Sequence, residues 1–170
     1  GGVGTSYPQA NPALRVFDDP IRGDTLIAVP AIEPDVALLH AAHADQYGNV
    51  RFVGTGYADR LLWRAADRTL VQVEQVVSNE EIRRAPERTA LLADGVVRAR
   101  FGADPFSSPG FYLEDRPHIA ELVEAGRTFA RHRDRGPFER YLDRYVYGPA
   151  DHVQYLEATG LRRLHGLEEY

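Results

Sequence analysis

The residues best equipped for chemistry fall into four groups: His40-x-x-His43-x-Asp45, Glu74, the run Gly1-Gly-Val-Gly-Thr-Ser6, and the segment Phe101-Gly-Ala-Asp-Pro-Phe-Ser-Ser-Pro-Gly-Phe-Tyr112. Histidine and aspartate are zinc-type ligands. Residues three apart share a face on a helix but point to opposite sides of a strand. The surrounding sequence reads as strand, then turn, so no metal is expected at His40, His43 and Asp45. His40 reads instead as a strand-end histidine whose ring hydrogen-bonds the next loop. Glu74 is the best-placed carboxylate on a predicted strand. A buried carboxylate must have donors, so a structural partnership with an arginine or a backbone amide is preferred over catalysis.

The backbone amides of the glycine cluster could cradle a phosphate. The dinucleotide spacing G-x-G-x-x-G is not met, and no strand precedes the cluster. Cleft lining and flexible terminus are both open readings for it. His132-Arg-Asp134 matches the kinase catalytic string. Without a glycine-rich nucleotide loop, a strand lysine or a D-F-G it reads as a solvated face. No Gly-x-Ser-x-Gly elbow occurs, so an α/β-hydrolase reading lacks its nucleophile.

The elements that must position these residues follow from periodicity and punctuation. Residues 1–24 are rich in glycine, proline and polar side chains and read as loop. Strands are expected at Thr25–Pro30, Val36–His40, Val50–Val53, Leu70–Val77 and Val96–Phe101. The apolar run Val36-Ala-Leu-Leu39 is the pattern of a strand covered on both faces. Asp45-Gln-Tyr-Gly-Asn49 supplies turn chemistry. Tyr57–Arg68 has Leu61, Leu62, Ala65 and Ala66 at helical spacing. Ser78-Asn-Glu-Glu81 fits a capping box, and Pro86 ends that short helix. Helices are expected over Arg116–Thr128, Phe138–Val146 and Asp151–Thr159, with Asp151 as N-cap and Gly160 as stop. Strand, helix and strand between Val50 and Val77 imply a right-handed crossover and parallel pairing. Ligands of such sheets bind beyond the carboxyl ends of the strands, near the 39–48 and 102–110 loops.

Composition narrows the function classes. The chain has 170 residues, a length suited to one domain over 1–170, and a net charge of −5, which gives no support to nucleic-acid binding. No apolar run approaches a membrane span, and no secretory signal is visible, so a cytoplasmic location is expected. Cysteine is absent, which excludes thiolate metal sites and cysteine nucleophiles. All 20 basic residues are arginine, which removes Schiff-base chemistry. The arginine and alanine bias suggests a GC-rich, bacterial genome.

His40-Ala-x-x-Ala-Asp-x-x-Gly-Asn49 resembles a segment in the second half of the alpha subunit of family I coenzyme A transferases. Val73-Glu-Gln-Val-Val77, the Phe101–Tyr112 segment, Tyr141-Leu-Asp-Arg-Tyr-Val-Tyr-Gly-Pro-Ala-Asp-His152 and Tyr155-Leu156 match in the same order. Gly102-Ala-x-Pro105 with Pro109-Gly-x-Tyr112 is closest to the glutaconate CoA-transferase branch, which includes steroid ring-cleaving hydrolases. The resemblance implies an α/β fold: an open, mostly parallel sheet of the coenzyme A transferase type with a helical carboxy-terminal tail. It implies the carboxy-terminal portion of an alpha-type subunit that moves coenzyme A from an acyl-CoA to a carboxylic acid. The nucleophilic glutamate would sit on a beta-type partner, so no catalytic residue is expected here. Glu74 falls on a family glutamate but is not that nucleophile.

Coenzyme A would be a substrate, with no cofactor and no metal. Gly4, Thr5 and Ser6 would line the substrate cleft. The Phe101–Tyr112 loop would be a wall of the acyl pocket or a surface packed on the partner. Family members often carry histidine where Asp104 stands, which puts an inherited substrate contact there in doubt. Two alternatives are a subunit of a ring-opening hydrolase acting on a steroid-derived acyl-CoA and a non-catalytic assembly module. The amino-terminal half of the family subunit is not represented, as expected of a carboxy-terminal fragment, a cleaved product or a split subunit.

Overall fold

A computed structural model describes residues 2–54 and 56–168. The chain divides into two compact units, Gly1–Pro34 and Asp35–Tyr170. In the first, a short helix α1 (Tyr7–Ala10) precedes the antiparallel hairpin of β1 (Arg15–Asp18) and β2 (Thr25–Ala28). Residues 1–24, expected as loop, therefore hold a helix and a strand. Val16 and Phe17 register with Ile27 and Leu26, a pairing that a four-residue strand does not announce by itself.

The second unit is built on a five-stranded sheet of order β6-β4-β3-β5-β7. Its strands are β3 (Val36–Ala44), β4 (Asn49–Arg51), β5 (Arg68–Val76), β6 (Leu91–Leu92) and β7 (Gly95–Arg98). β3, β5 and β7 are parallel, whereas β4 runs antiparallel to both β3 and β6. The α/β class and mostly parallel centre agree with the sequence. The crossover partner differs. Helix α2 (Asp59–Ala65) returns the chain to β5, but β5 pairs with β3 rather than β4. The turn after Ala44 is tight enough to fold β4 back as a hairpin arm, which takes it out of the crossover.

That turn is set by Asp45. Its carboxylate is fully buried and accepts from the Tyr47 and Asn49 amides at 2.9 and 3.0 Å and from the Asn49 and Asn79 side chains at 2.9 and 2.7 Å. Burial alone would raise its pKa, but these hydrogen bonds from Asn79, Asn49 and Tyr47 hold it below the ordinary value. Gly48 has φ +84°, and a Cβ there would lie 2.2 Å from the Ala93 carbonyl oxygen.

One sheet face carries the core. Ala37, Leu39 and Ala41 of β3 pack with Val71 and Val73 of β5, Val50 and Leu91, closed by Trp63 and Ala66. On the other face β3 and β5 present His40, Gln72 and Glu74, from mid-strand onward, to the 101–112 loop. The amino-terminal part of that face is bare: Val36, Leu38, Leu70 and Val97 are exposed. Helix α3 (Asn79–Arg83) begins with Ser78 accepting from the Glu81 amide at 3.2 Å, as the capping pattern predicts. The buried Arg51 guanidinium donates to the Ile82 and Ala85 carbonyls near its end.

The tail is helical: α4 (Arg116–His132), α5 (Gly136–Leu142), a π turn (Asp143–Tyr147), α6 (His152–Thr159) and α7 (Leu161–His165). Asp115 caps α4 and Asp151 caps α6, each accepting the amide three residues on. Phe101, Tyr112 and Leu164 form a second small core joining the loop to α7. No described helix is long and apolar enough to cross a membrane.

Candidate functional site

Two regions hold the residues singled out from sequence, one in each unit. In the first unit, Gly4, Thr5 and Ser6 line a cavity of about 590 Å3 together with Leu14, Val16 and Thr25. Gly4 has φ +78° and no atom within 4 Å of where a Cβ would stand, so its backbone faces open space. The Thr5 hydroxyl is committed locally, donating to the Gly2 carbonyl at 2.7 Å and accepting the Tyr7 amide at 3.2 Å. Gly1, part of the same cluster, lies outside the described residues.

In the second unit, Glu74 is the centre of a polar cluster. It is 3% exposed. One carboxylate oxygen accepts the Phe101 amide at 2.8 Å, and the other accepts the Tyr112 hydroxyl at 2.6 Å. Tyr112 also accepts the Ala103 amide at 2.8 Å. A single carboxylate thus holds both ends of the 101–112 loop. Burial raises the Glu74 pKa, opposed by the Tyr112 hydroxyl and the loop amides. Tyr112 is raised as well, by burial and then by its bond to Glu74.

His40 is fixed by this arrangement. The Gln72 side-chain amide donates to the Gly102 carbonyl at 2.5 Å and points its nitrogen at His40 Nδ1, 3.2 Å away. Nδ1 is then an acceptor, and the proton belongs on Nε2. Nε2 faces Ser108 Oγ at 3.1 Å and Glu74 Oε1 at 3.3 Å. Burial depresses the His40 pKa, which keeps the ring neutral. A ring that donates from Nε2 cannot take the Ser108 proton, so this trio is no nucleophilic triad. His40, expected at a strand end and bonded to the next loop, lies instead in the middle of β3 and bonds Ser108 of the distant 101–112 loop, because the strand continues to Ala44. His43 has separate neighbours, lying against the Phe111 ring with centroids 5.3 Å apart.

Asp104 turns inward, not toward a cleft. Its carboxylate accepts the Tyr155 hydroxyl at 2.6 Å and lies 3.2 Å from His118 Nδ1. His118 Nε2 meets the Tyr141 hydroxyl at 3.0 Å. Burial pushes Tyr141 up to about 12, with Tyr145 and Glu121 adding to it. Asp104, Asp115 and His118 offer ligand atoms within 4.8 Å of one another. However, Asp115 is ion-paired with Arg163 through both guanidinium Nε and Nη2. That cation occupies the charge a metal would supply.

The sequence reading did not single out Gln72, His118 or Arg163, and it carried Ser108, Tyr112 and Tyr155 only as members of quoted segments, without a role of their own. Gln72 and Glu74 did carry a signal: they are polar at alternate positions of an otherwise apolar strand, which marks a patch that something polar must cover.

A mostly parallel sheet with the 101–112 loop laid over its polar face and a helical tail defines an α/β domain. The family model for coenzyme A transferase matches residues 3–97, and the chain belongs to the coenzyme A transferase family. It is 32% identical to one subunit of glutaconate CoA-transferase from Acidaminococcus fermentans, covering 91% of this chain and 48% of the relative. It is 31% identical to the cholesterol ring-cleaving hydrolase IpdA subunit of Rhodococcus jostii, covering 78% and 45%. The crystal structure of the Acidaminococcus fermentans glutaconate coenzyme A-transferase superposes with a TM-score of 0.84 at 31% identity, over 93% of this chain and 49% of that one. The chain spans about half the length of these relatives.

Proposed function

We propose that this chain is the carboxy-terminal part of an alpha-type subunit in a cytoplasmic CoA-transferase, working with a beta-type partner. Coenzyme A passes from an acyl-CoA to a carboxylic acid, as substrate and without a further cofactor. The partner's glutamate attacks the thioester carbonyl, and the CoA thiolate leaves, forming an acyl anhydride. The thiolate then attacks the glutamyl carbonyl, releasing the first acid and leaving a glutamyl-CoA thioester. The acceptor carboxylate reverses these steps.

The observation that carries this division of labour is the state of Glu74. It is buried, with hydrogen-bond donors on both oxygens. A nucleophile must present an oxygen to its electrophile, whereas both Glu74 oxygens face donors of this chain and its side chain is closed off from solvent. The chain contributes scaffold and cleft instead, with Gly4, Thr5 and Ser6 as cleft lining. Backbone amides preorganised around a developing oxyanion are worth about 3 kcal/mol per donor.

Similarity to ring-cleaving hydrolase subunits supports a second reading, opening of a carbon ring in a steroid-derived acyl-CoA. Intact-mass spectrometry of the native complex, before and after incubation with acyl-CoAs, separates the two. A CoA-sized adduct on a partner chain is expected. Turnover without an adduct would sink the transferase reading and advance the hydrolase.

A further inference from the structure

The five-stranded sheet ends on β7. Among the described residues, Gly95–Arg98 pairs with β5 on one side and with no strand on the other. The Asp94 amide donates to the Thr69 carbonyl at 2.9 Å at the start of that pairing. Backbone direction alternates along a strand, so the amides and carbonyls of Gly95 and Val97 turn to the open side. A row of unpaired donors and acceptors is a template for another strand. Arg98 and Val97 are exposed beside it.

Native edges are guarded by proline, bulges or charged side chains, and like charges that meet across a ladder repel. Asp94-Gly-Val-Val-Arg98 has no proline, and its two charges are opposite in sign and equally spaced about Val96. Asp94, Val96 and Arg98 share one face of the strand. Two copies of this segment run antiparallel about a two-fold axis at Val96 place Asp94 of each opposite Arg98 of the other. A two-fold contact is self-complementary, so each favourable pair is made twice. The same register satisfies the backbone, because Gly95 of one copy meets Val97 of the other and these carry the outward groups. Arg98 is available for the role: among the described residues its guanidinium has no ion pair or hydrogen bond. Asp94 is exposed, with one carboxylate oxygen accepting the Thr69 amide at 2.7 Å.

We infer that β7 pairs antiparallel with β7 of a second copy of this chain, with Val96 on the two-fold axis and Asp94 across from Arg98 of that copy. The joint extends the sheet from five strands to ten. A ladder of four residues on each side buries far less than the roughly 1,200 Å2 of a stable interface, so the dimer is weak and reversible. It is independent of the transferase reading, because backbone pairing and one repeated charge pair make it.

The chain has no cysteine, so single cysteines report the register directly. A non-hydrogen-bonded antiparallel pair brings its Cα atoms to about 4.5 Å, within the disulfide range of about 4.4–6.8 Å. Val96→Cys in the intact 170-residue chain, treated with oxidised glutathione, should give a disulfide-linked dimer about tenfold faster than Val97→Cys. Random collision would favour Val97→Cys instead, since Val97 is the more exposed of the two. Sedimentation velocity of the wild type should show a concentration-dependent dimer, with amide exchange slowed over Gly95–Arg98. Arg98→Glu turns two attractive pairs into two repulsive ones and should weaken the dimer about tenfold. A monomer at every concentration, or equal cross-linking of the two cysteine variants, overturns the inference. Dimerisation that slows exchange over residues 36–42 and leaves Gly95–Arg98 unchanged overturns it as well, in favour of the β3 edge. Sedimentation and exchange use the wild type, so misfolding of a variant would not blur the result.

Discussion

Glu74 shows how one side chain can be prominent in the sequence yet serve structure. Its carboxylate gathers the Phe101 amide and the Tyr112 hydroxyl, and His40 sits beside it. Groups that face it from the packed elements are His40 on β3 and Tyr112 and Arg100 on the loop. Its folded pKa lies above the ordinary glutamate value because of burial. Between the two values the folded state holds the proton more tightly than the unfolded chain. The stabilising contribution is therefore full below the ordinary value of 4.5 and is lost as pH rises through the folded pKa. Glu74→Gln removes the titration. The stability of the wild type minus that of Glu74→Gln should fall as pH rises from 4.5, read from urea midpoints. A flat or rising difference would contradict the burial argument. Asp104 teaches the complementary lesson. Its departure from the family histidine suggested an altered substrate contact, whereas the structure turns it into a bond with Tyr155 beside His118. Which way a loop side chain points depends on partners about 14 and 51 residues away, beyond any local pattern.

At the scale of elements, the turn between β3 and β4 decides the topology. A side chain at Gly48 would suffer twice, from φ +84° and from the Ala93 carbonyl at 2.2 Å. Gly48→Ala should cost about 2–4 kcal/mol, since the obstacle is backbone and cannot rotate away. Chemical denaturation measures it, and a loss below about 0.5 kcal/mol, the range of a neutral surface change, would show that the turn relaxes. Elements with strong local signatures were legible: β3 from its apolar run, α3 from Ser78, and α6 from Asp151. The short β1 and β6 were not, because strands of four and two residues exist only through their partners. The pairing of β5 with β3 was hidden for the same reason. Periodicity announces a strand but not its neighbour. Of the candidate site, Glu74 and His40 were visible as residue types, and Ser108, Gln72 and Tyr112 became meaningful only once the loop lay on the sheet.

For the molecule as a whole, the helical tail is tied back through Tyr155 and His118 on Asp104 and through α7. Asp115 caps α4 and pairs with Arg163 of α7, and Leu164 enters the small core beside Phe101 and Tyr112. Arg163→Ala leaves the Asp115 carboxylate, 1% exposed, without its cation. Because the Arg163 side chain is 30% exposed, the loss is smaller than for a fully buried pair, about 2 kcal/mol. The tail should then become the first part cut in limited proteolysis, with cleavage between α5 and α7. An unchanged digestion pattern would mean that the apolar contacts suffice.

The core and the tail also differ in what light can report. Trp63 is the chain's single tryptophan, and it rests against the sheet core on α2. The chain's 9 tyrosines include Tyr141, Tyr145 and Tyr155 in the tail. Indole emission therefore follows the docking of α2 on the sheet and is blind to release of the tail. Far-ultraviolet circular dichroism, weighted toward the tail helices, sees that release. Recorded on one denaturation series, the two signals form a ready-made pair of reporters, and any separation between their midpoints would show that the halves of this unit melt apart.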